Sequence, residues 1–193
     1  MFLIARHGKT QWNIEGRLQG WMNSPLTNIG RIQAEQLGKF IHSIDPIDSV
    51  YSSPLKRCKE TLRWAGYEKQ AIFIPEFKEC SFGLMEGMYE EEAKKCFKDY
   101  WIPRDVDWQT KWLLPPPCGE SYDDVYRRVN QGLEPILCNS INKRILIMTH
   151  GFTSRLIRGI LMDRSPEEIL KSSKQHNDEV FTIANKIEEC IKL

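Results

Sequence analysis

Two short stretches of the sequence, Leu3-Ile4-Ala5-Arg6-His7-Gly8 and Leu146-Ile147-Met148-Thr149-His150-Gly151, decide the fold. Each is a short apolar run followed by a polar residue, a histidine and a glycine. Continuous apolar runs, unlike alternating ones, suit strands that are covered on both faces, which is the condition of a parallel sheet. The pattern therefore predicts two buried strands of a parallel sheet, each of which stops at a His-Gly pair.

Helical patterns separate and follow these strands. Apolar residues recur at helical spacing from Asn28 to Ile44, with Thr27 as the N-cap. The other expected elements are, in chain order, a strand at Ser49–Ser52, a helix at Leu55–Ala65, a helix opening at Ser121 that Pro135 kinks or ends, helices from Thr153 and Pro166, and a closing hairpin of Glu179–Ala184 and Ile187–Leu193. Strands alternating with helices predict an α/β fold, a three-layer sandwich around a mainly parallel central sheet.

The middle of the chain does not follow this alternation. Between Phe77 and Gly119 there is no clean strand pattern, and three of the six tryptophans (Trp101, Trp108 and Trp112) fall there. We interpret residues 77–119, named here the cap segment, as a small insertion over the edge where the strands end. A chain of 193 residues fits one domain, so we expect residues 1–193 to form a single α/β domain that carries this segment.

Composition and charge limit the classes of partner. Lys and Arg number 27 against 26 Asp and Glu, so a net charge of +1 supplies no extended field for a nucleic acid or an acidic membrane. The longest apolar stretches are about five residues, whereas a membrane-spanning helix needs about 20. With no signal-peptide pattern at the N-terminus, we expect a cytoplasmic protein with no nucleic-acid partner and no membrane span. The six cysteines form no Cys-x-x-Cys pair, so we expect reduced thiols in or near the core and no zinc site.

The candidate functional residues lie where the predicted strands end. Ligands of open α/β sheets bind beyond the carboxyl ends of the strands, which places His7 and His150 at the functional edge. The glycine after each histidine permits a tight turn and close approach of the backbone to a ligand. Arg57 falls in the first turn of the helix after the second strand, where free N–H groups and a guanidinium suit phosphate oxygens. On the residues alone, a solvated surface arginine is an equally good interpretation of Arg57.

At this point the sequence resembles a known family. Residues 6–13, with 16–20 and 24–30 after them, resemble the opening of the histidine phosphatase superfamily, in the branch that includes the cofactor-dependent phosphoglycerate mutases. Four further segments resemble the family's remaining motifs in the same order, namely residues 52–61 (an arginine motif), 79–87 (an acidic segment ending in Glu-Gly), 117–121 and 149–151. The Arg-His-Gly triplet is a weak signal alone, but the ordered set covers most of the chain.

The resemblance implies a role for each matching residue. His7 would be the nucleophile that takes the phosphoryl group as phosphohistidine, and Glu79 would protonate the leaving oxygen and then activate water. His150 would complete the catalytic set and also bind phosphate. Arg6 and Arg57 would hold the phosphate oxygens with it, and Asn13 would assist. The arginines would supply the positive charge that this reaction needs, so we expect no metal and no cofactor.

Several alternatives stay open at this stage. Because mutase-like members are generally longer, the sequence favours a phosphomonoester hydrolase for a small phosphorylated metabolite over phosphoglycerate mutase-type phosphoryl transfer. A non-catalytic phosphate-binding relative is disfavoured, because such a protein could dispense with the nucleophile and the acid. The cap-segment tryptophans either line a pocket for a bulky leaving group, as in α-ribazole phosphatases, or only pack that segment onto the sheet. A homodimer is also left open.

Overall fold

The computed structural model describes residues 1–44 and 46–193. Its centre is one sheet in the order β3-β2-β4-β1-β5-β6. The strands are β1 (Phe2–Arg6), β2 (Ser49–Ser52), β3 (Ala71–Phe73), β4 (Ile145–Thr149), β5 (Glu179–Ala184) and β6 (Ile187–Lys192). The first four run parallel, and the β5–β6 hairpin pairs antiparallel to β1. The predicted α/β fold with a mainly parallel sheet is confirmed.

Helices cover both faces of this sheet. In chain order they are α1 (Gln11–Glu15), α2 (Asn28–Ser43), α3 (Lys56–Ala65), α4 (Glu90–Cys96), α5 (Lys98–Arg104), α6 (Trp108–Leu113), α7 (Tyr122–Cys138), α8 (Gly151–Leu161) and α9 (Pro166–Lys171). Successive strand residues point to opposite faces. In β1, Ile4 joins the core cluster that includes residues of α7 and α8, while Leu3 joins the cluster that includes residues of α2 and α3. The continuous apolar runs therefore fill two cores, as a three-layer sandwich requires.

Strand register brings the two His-Gly pairs together. Arg6 at the end of β1 lies opposite Thr149 at the end of β4, and the His7 N–H donates to the Thr149 carbonyl at 3.0 Å. On the other side of β4, the Ser53 N–H donates to the Met148 carbonyl at 3.0 Å. The loops that follow β1, β2 and β4 thus meet at one edge of the sheet.

The cap segment contains short helices rather than strands. It includes α4, α5 and α6, and a one-turn 3-10 helix at Gly83–Met85. Its tryptophans divide between two environments. Trp112 is buried in the core beneath α7, where its indole N–H donates to Asp123 at 3.0 Å, and Trp108 packs against the same core. Trp101 packs instead against a small cluster around Met85 and Tyr100.

The structure corrects two local expectations, that Pro135 could end its helix and that the cysteines lie in or near the core, and it adds two short elements that were not predicted. Pro135 does not end α7, which continues to Cys138; the carbonyl left without an N–H partner belongs to exposed Gln131, so water can satisfy it. Strand β3 and helix α1 were not predicted, because three and five residues are too short to show a period. Four cysteines are exposed rather than near the core, and only Cys58 and Cys80 are buried.

Within the described residues, no helix is long and apolar enough to cross a membrane.

Candidate active site

His7 lies buried at the end of β1 with its tautomer set by the backbone. Its side chain is 2% exposed, and Nδ1 lies 2.9 Å from the Gly8 carbonyl oxygen. A carbonyl can only accept, so Nδ1 carries the proton and Nε2 keeps its lone pair. Burial, together with the charges of Arg57 and Arg6, holds the pKa of His7 well below its ordinary value. The ring is therefore neutral near pH 7 and presents a nucleophilic nitrogen.

His150 faces His7 across the same edge. The ring centroids are 5.3 Å apart, and the Arg57 Nε–H donates to His150 Nδ1 at 3.1 Å. Since Nδ1 accepts, Nε2 carries the proton, which it donates to Ser53 Oγ at 2.7 Å. Burial and the neighbouring Arg57 charge lower the pKa of His150 well below its ordinary value. The two histidines thus have opposite tautomers, one with a free lone pair at Nε2 and one with an N–H donor there.

Arg57 is buried, with carbonyls and a ring nitrogen as its partners. Its terminal nitrogens donate to the Met22 and Gly20 carbonyls at 2.9 and 2.8 Å, and the residue is 1% exposed. Both carbonyls belong to a loop that Glu86 holds through the Trp21 and Met22 N–H groups. A guanidinium has five N–H donors, so this arrangement leaves two for an anion. Among the described residues no carboxylate forms an ion pair with Arg57.

Arg6 is a second guanidinium with donor capacity to spare. One terminal nitrogen donates to the Gln175 carbonyl at 2.8 Å, while Nε is buried and has no partner among the described residues. An unpaired buried donor is costly, and a bound anion would relieve that cost. Arg6 also explains the glycine after His150, because a Cβ on Gly151 would lie 3.2 Å from its guanidinium carbon.

Glu79 lies at the N-terminus of α8, the helix that begins directly after His150. Its carboxylate accepts the N–H groups of Phe152 and Thr153, each at 3.2 Å, and that of Cys80 at 3.0 Å. The first N–H groups of a helix have no partner within the helix and attract an anion. Burial lowers the pKa values of Arg6 and Arg57, and the charge of Glu79 partly opposes that lowering. The acid predicted from the sequence is thus next to the histidines and arginines.

The backbone that carries Glu79 is fixed by a pair that sequence reasoning did not single out. Arg128 on α7 donates to the carbonyls of Lys78 and Glu79 at 2.8 and 2.9 Å. The same guanidinium makes two bonds to the Glu120 carboxylate, at 2.7 and 2.9 Å. Glu120 belongs to the fourth motif of the sequence, residues 117–121, but nothing in the sequence marks Arg128 as its partner.

The family follows from the sequence match along almost the whole chain. Residues 2–185 match the profile of the histidine phosphatase superfamily, branch 1. The chain belongs to this superfamily. The ordered motifs at residues 6–30, 52–61, 79–87 and 149–151 are the segments that supply Arg6, His7, Arg57, Glu79 and His150 to one edge of the sheet.

Relatives of this histidine phosphatase include a phosphatase and phosphoglycerate mutases. A metal-independent phosphoserine phosphatase of Arabidopsis thaliana is 32% identical over 161 residues, which are 80% of this chain and 66% of that protein. A 2,3-bisphosphoglycerate-dependent phosphoglycerate mutase of Bradyrhizobium diazoefficiens is 29% identical over 179 residues, 89% of this chain and 85% of that protein. The crystal structure of the α-ribazole phosphatase from Shigella flexneri has a TM-score of 0.83 at 24% identity, covering 100% of this chain and 95% of that one. This last likeness supports the fold alone.

Asn13 has a structural task in this histidine phosphatase. Its Oδ1 accepts the backbone N–H and the hydroxyl of Thr10, at 3.1 and 3.0 Å, in a capping box that starts α1. Its Nδ2 makes no hydrogen bond to a described residue. The predicted contact of Asn13 with phosphate therefore stays a prediction, and Nδ2 is the atom that would make it.

The lowered pKa values of the two histidines predict a pH dependence of stability. In the unfolded chain each histidine takes up a proton below about pH 6.5, whereas in the folded protein both stay neutral. The unfolded state then binds more protons, so the free energy of unfolding should decrease as the pH is lowered, with a slope that approaches about 1.4 kcal/mol per pH unit for each histidine below about pH 6.5. Urea unfolding at pH 7.0 and 5.5 measures this loss. The His7→Gln variant should show a shallower loss, and an identical loss in that variant would contradict the assignment.

Proposed function

We propose that this histidine phosphatase hydrolyses a phosphate monoester of a small metabolite through a phosphohistidine on His7. The observation that carries the proposal is the free Nε2 lone pair of a neutral, buried histidine beside two guanidiniums that form no ion pair with a carboxylate of the described residues. A neutral imidazole is the nucleophilic form. Buried cations placed around it supply the field that a transferring phosphoryl group requires.

The first step transfers the phosphoryl group to the enzyme. Nε2 of His7 attacks phosphorus, the bond from phosphorus to the ester oxygen breaks, and Glu79, which enters this step in its protonated form, gives that oxygen its proton. Arg6, Arg57 and the Nε2–H of His150 bind the remaining phosphate oxygens, with His150 exchanging its bond to Ser53 for one to the substrate. The Gly8 carbonyl accepts from Nδ1–H throughout, which stabilises the positive charge that the ring acquires.

The second step returns the enzyme to its starting state. Glu79, now ionised, takes a proton from a water molecule whose oxygen attacks phosphorus, and the bond between phosphorus and Nε2 breaks. Inorganic phosphate leaves and His7 regains its lone pair. One carboxylate thus acts first as acid and then as base, which requires that its backbone stay in place. The bonds from Arg128 to the carbonyls of Lys78 and Glu79 meet that requirement.

Hydrolysis without added metal tests the proposal. The purified protein should release phosphate from 4-nitrophenyl phosphate at the same rate with and without excess chelator, because the arginines supply the positive charge. A rate that falls on chelation and returns on adding a divalent cation would count against this mechanism.

A mutase-type transfer is the second candidate, because a 2,3-bisphosphoglycerate-dependent mutase is among the relatives. It uses the same phosphohistidine but passes the group to a second organic hydroxyl rather than to water. Incubation with 3-phosphoglycerate and a trace of 2,3-bisphosphoglycerate separates the two, since hydrolysis yields inorganic phosphate and transfer yields 2-phosphoglycerate. A cytoplasmic location and a homodimer stay proposals, which cell fractionation and light scattering would test.

A further inference from the structure

Buried arginines in this protein fall into two groups. Arg158 is paired with the Glu188 carboxylate, and the half-buried Arg128 is likewise paired with Glu120. Among the described residues, three buried arginines make no ion pair: Arg57, Arg104 and Arg155. A buried charge without an opposite charge is expensive, so it persists where a ligand supplies the missing charge. Arg57 already has this explanation in the phosphate site, whereas Arg104 and Arg155 do not.

Arg104 and Arg155 line one cavity, named here the cap cavity. Its volume is about 400 Å³, and its walls include Leu18, Phe82, Trp101, Arg104, Tyr122 and Arg155. Arg104 is 3% exposed; it donates to the Leu114 carbonyl at 2.8 Å and lies over the rings of Tyr100 and Tyr122. Arg155 is 9% exposed and holds carbonyls at the end of α9 through one terminal nitrogen.

Two residues that line this cavity each carry a buried donor with no partner among the described residues. These donors are Nε of Arg155 and the indole Nε1 of Trp101. Three lysines, Lys94, Lys111 and Lys174, line the same cavity against Glu90 and Asp105. Lys94 is held in ion pairs on α4, but Lys111 and Lys174 make none with a described residue. Unfilled donors and an excess of positive charge together favour an anionic ligand.

The cap cavity borders the acid of the catalytic site. The rings of Tyr122 and Phe152 stack with centroids 3.9 Å apart, and the Phe152 N–H donates to the Glu79 carboxylate at 3.2 Å. On the other side, Leu18 is two residues before Gly20, whose carbonyl holds Arg57. The walls of the cap cavity thus pack against the residue that donates to Glu79 and continue into the loop that holds Arg57.

We infer that the cap cavity binds an anionic substituent of the leaving group, a carboxylate or a second phosphate, through Arg104 and the unfilled donors around it. This inference rests on the proposed function for the identity of the ligand as part of a phosphate ester. It assigns the substrate to esters that carry a second negative charge some distance from the transferred group. Trp101 then lines the leaving-group pocket, while Trp108 and Trp112 pack the core.

Matched aryl phosphates test this assignment. The probes are 3-carboxyphenyl phosphate, its neutral amide 3-carbamoylphenyl phosphate, and the bisphosphate of 1,3-dihydroxybenzene. For the wild type, kcat/KM should be about 10- to 100-fold higher for at least one of the two anionic esters than for the amide. The phenolate of the amide ester is a slightly better leaving group than that of the carboxylate ester. Intrinsic reactivity alone would therefore favour the amide ester. A preference confined to the bisphosphate identifies the substituent as a phosphate, and a preference confined to the carboxylate identifies it as a carboxylate.

Variants assign the preference to the cavity. Arg104→Met should bring the ratio of anionic to amide ester close to one, and Lys111→Met should lower it by a smaller factor. Arg63→Met, which removes an exposed arginine of α3, is the matched control and should keep the wild-type ratio. Should Arg104→Met fail to fold, Lys111→Met still decides the question. A wild-type ratio of one or less, or an elevated ratio that neither cavity variant changes, would overturn the assignment.

Failure of the proposed function would look different. If none of the three esters releases phosphate, the proposed hydrolysis is wrong. Calorimetric measurement of the binding of the same esters then tests the cavity assignment by itself. Tighter binding of an anionic ester than of the amide, reduced in Lys111→Met, supports the cavity on its own. Equal binding of the three esters rejects it.

Discussion

Replacing His7 with alanine should lower kcat by at least about 10⁴-fold, because the methyl group cannot form the covalent intermediate. The loss should appear with every phosphate ester, since the nucleophile is common to all of them. The variant keeps Arg6 and Arg57, and the carbonyls of residues 20 and 22 still hold the Arg57 guanidinium in place. It should therefore still bind inorganic phosphate. Initial rates and phosphate binding by calorimetry measure the two properties separately.

A second histidine variant controls for loss of an imidazole in general. His42 lies on α2, exposed, with its Nδ1 bonded to the Gly38 carbonyl, and it belongs to no part of the site. His42→Ala should keep the wild-type rate. An unchanged rate in His7→Ala, or an equal loss in both variants, would remove His7 from its role.

Replacing Glu79 with glutamine should give a loss that depends on the leaving group. A good leaving group such as 2,4-dinitrophenolate departs without a proton, so its hydrolysis should slow by about tenfold or less. An alkoxide needs the proton, so hydrolysis of an alkyl phosphate should slow by about 10²- to 10⁴-fold. A plot of log kcat/KM against leaving-group pKa measures the effect, and its slope should become more negative in the variant.

The glutamine variant keeps a side-chain oxygen for the N–H groups of Phe152 and Thr153, so the local structure should persist. Glu35→Gln, on the exposed face of α2, is the charge-matched control and should leave the slope unchanged. Equal losses for good and poor leaving groups in Glu79→Gln would mean that another residue donates the proton.

The residues that touch the proposed reaction could be found in the sequence because each stands in a local pattern. His7 and His150 follow buried apolar runs, and Arg57 begins a helix after a strand, so their places at one edge of a sheet follow from strand pairing. Their partners could not be found this way. Gln175 is fully buried and bonds the Ile4 carbonyl, 171 positions away, and such long-range polar contacts leave no periodic signal.

The glycines of the two His-Gly pairs have a packing role that the sequence did not reveal. The sequence suggested that glycine permits close approach to a ligand. In the structure both glycines lie close to other parts of the chain. A Cβ on Gly8 would lie 2.3 Å from the Gly30 carbonyl oxygen, and a Cβ on Gly151 would lie 3.2 Å from the guanidinium carbon of Arg6. Glycine at these positions thus leaves room for a neighbouring turn and for the Arg6 side chain. Only the folded chain reveals which neighbours they are.

The most direct measurement is the position of the phosphoryl group on the enzyme during turnover. A rapid alkaline quench preserves phosphohistidine, and proteolysis followed by mass spectrometry then locates it. We expect one phosphoryl group on the peptide that contains His7, absent from the His150 peptide and lost on brief acid treatment. Full turnover with no phosphorylated histidine under these conditions, or a phosphoryl group on any residue other than His7, would contradict it.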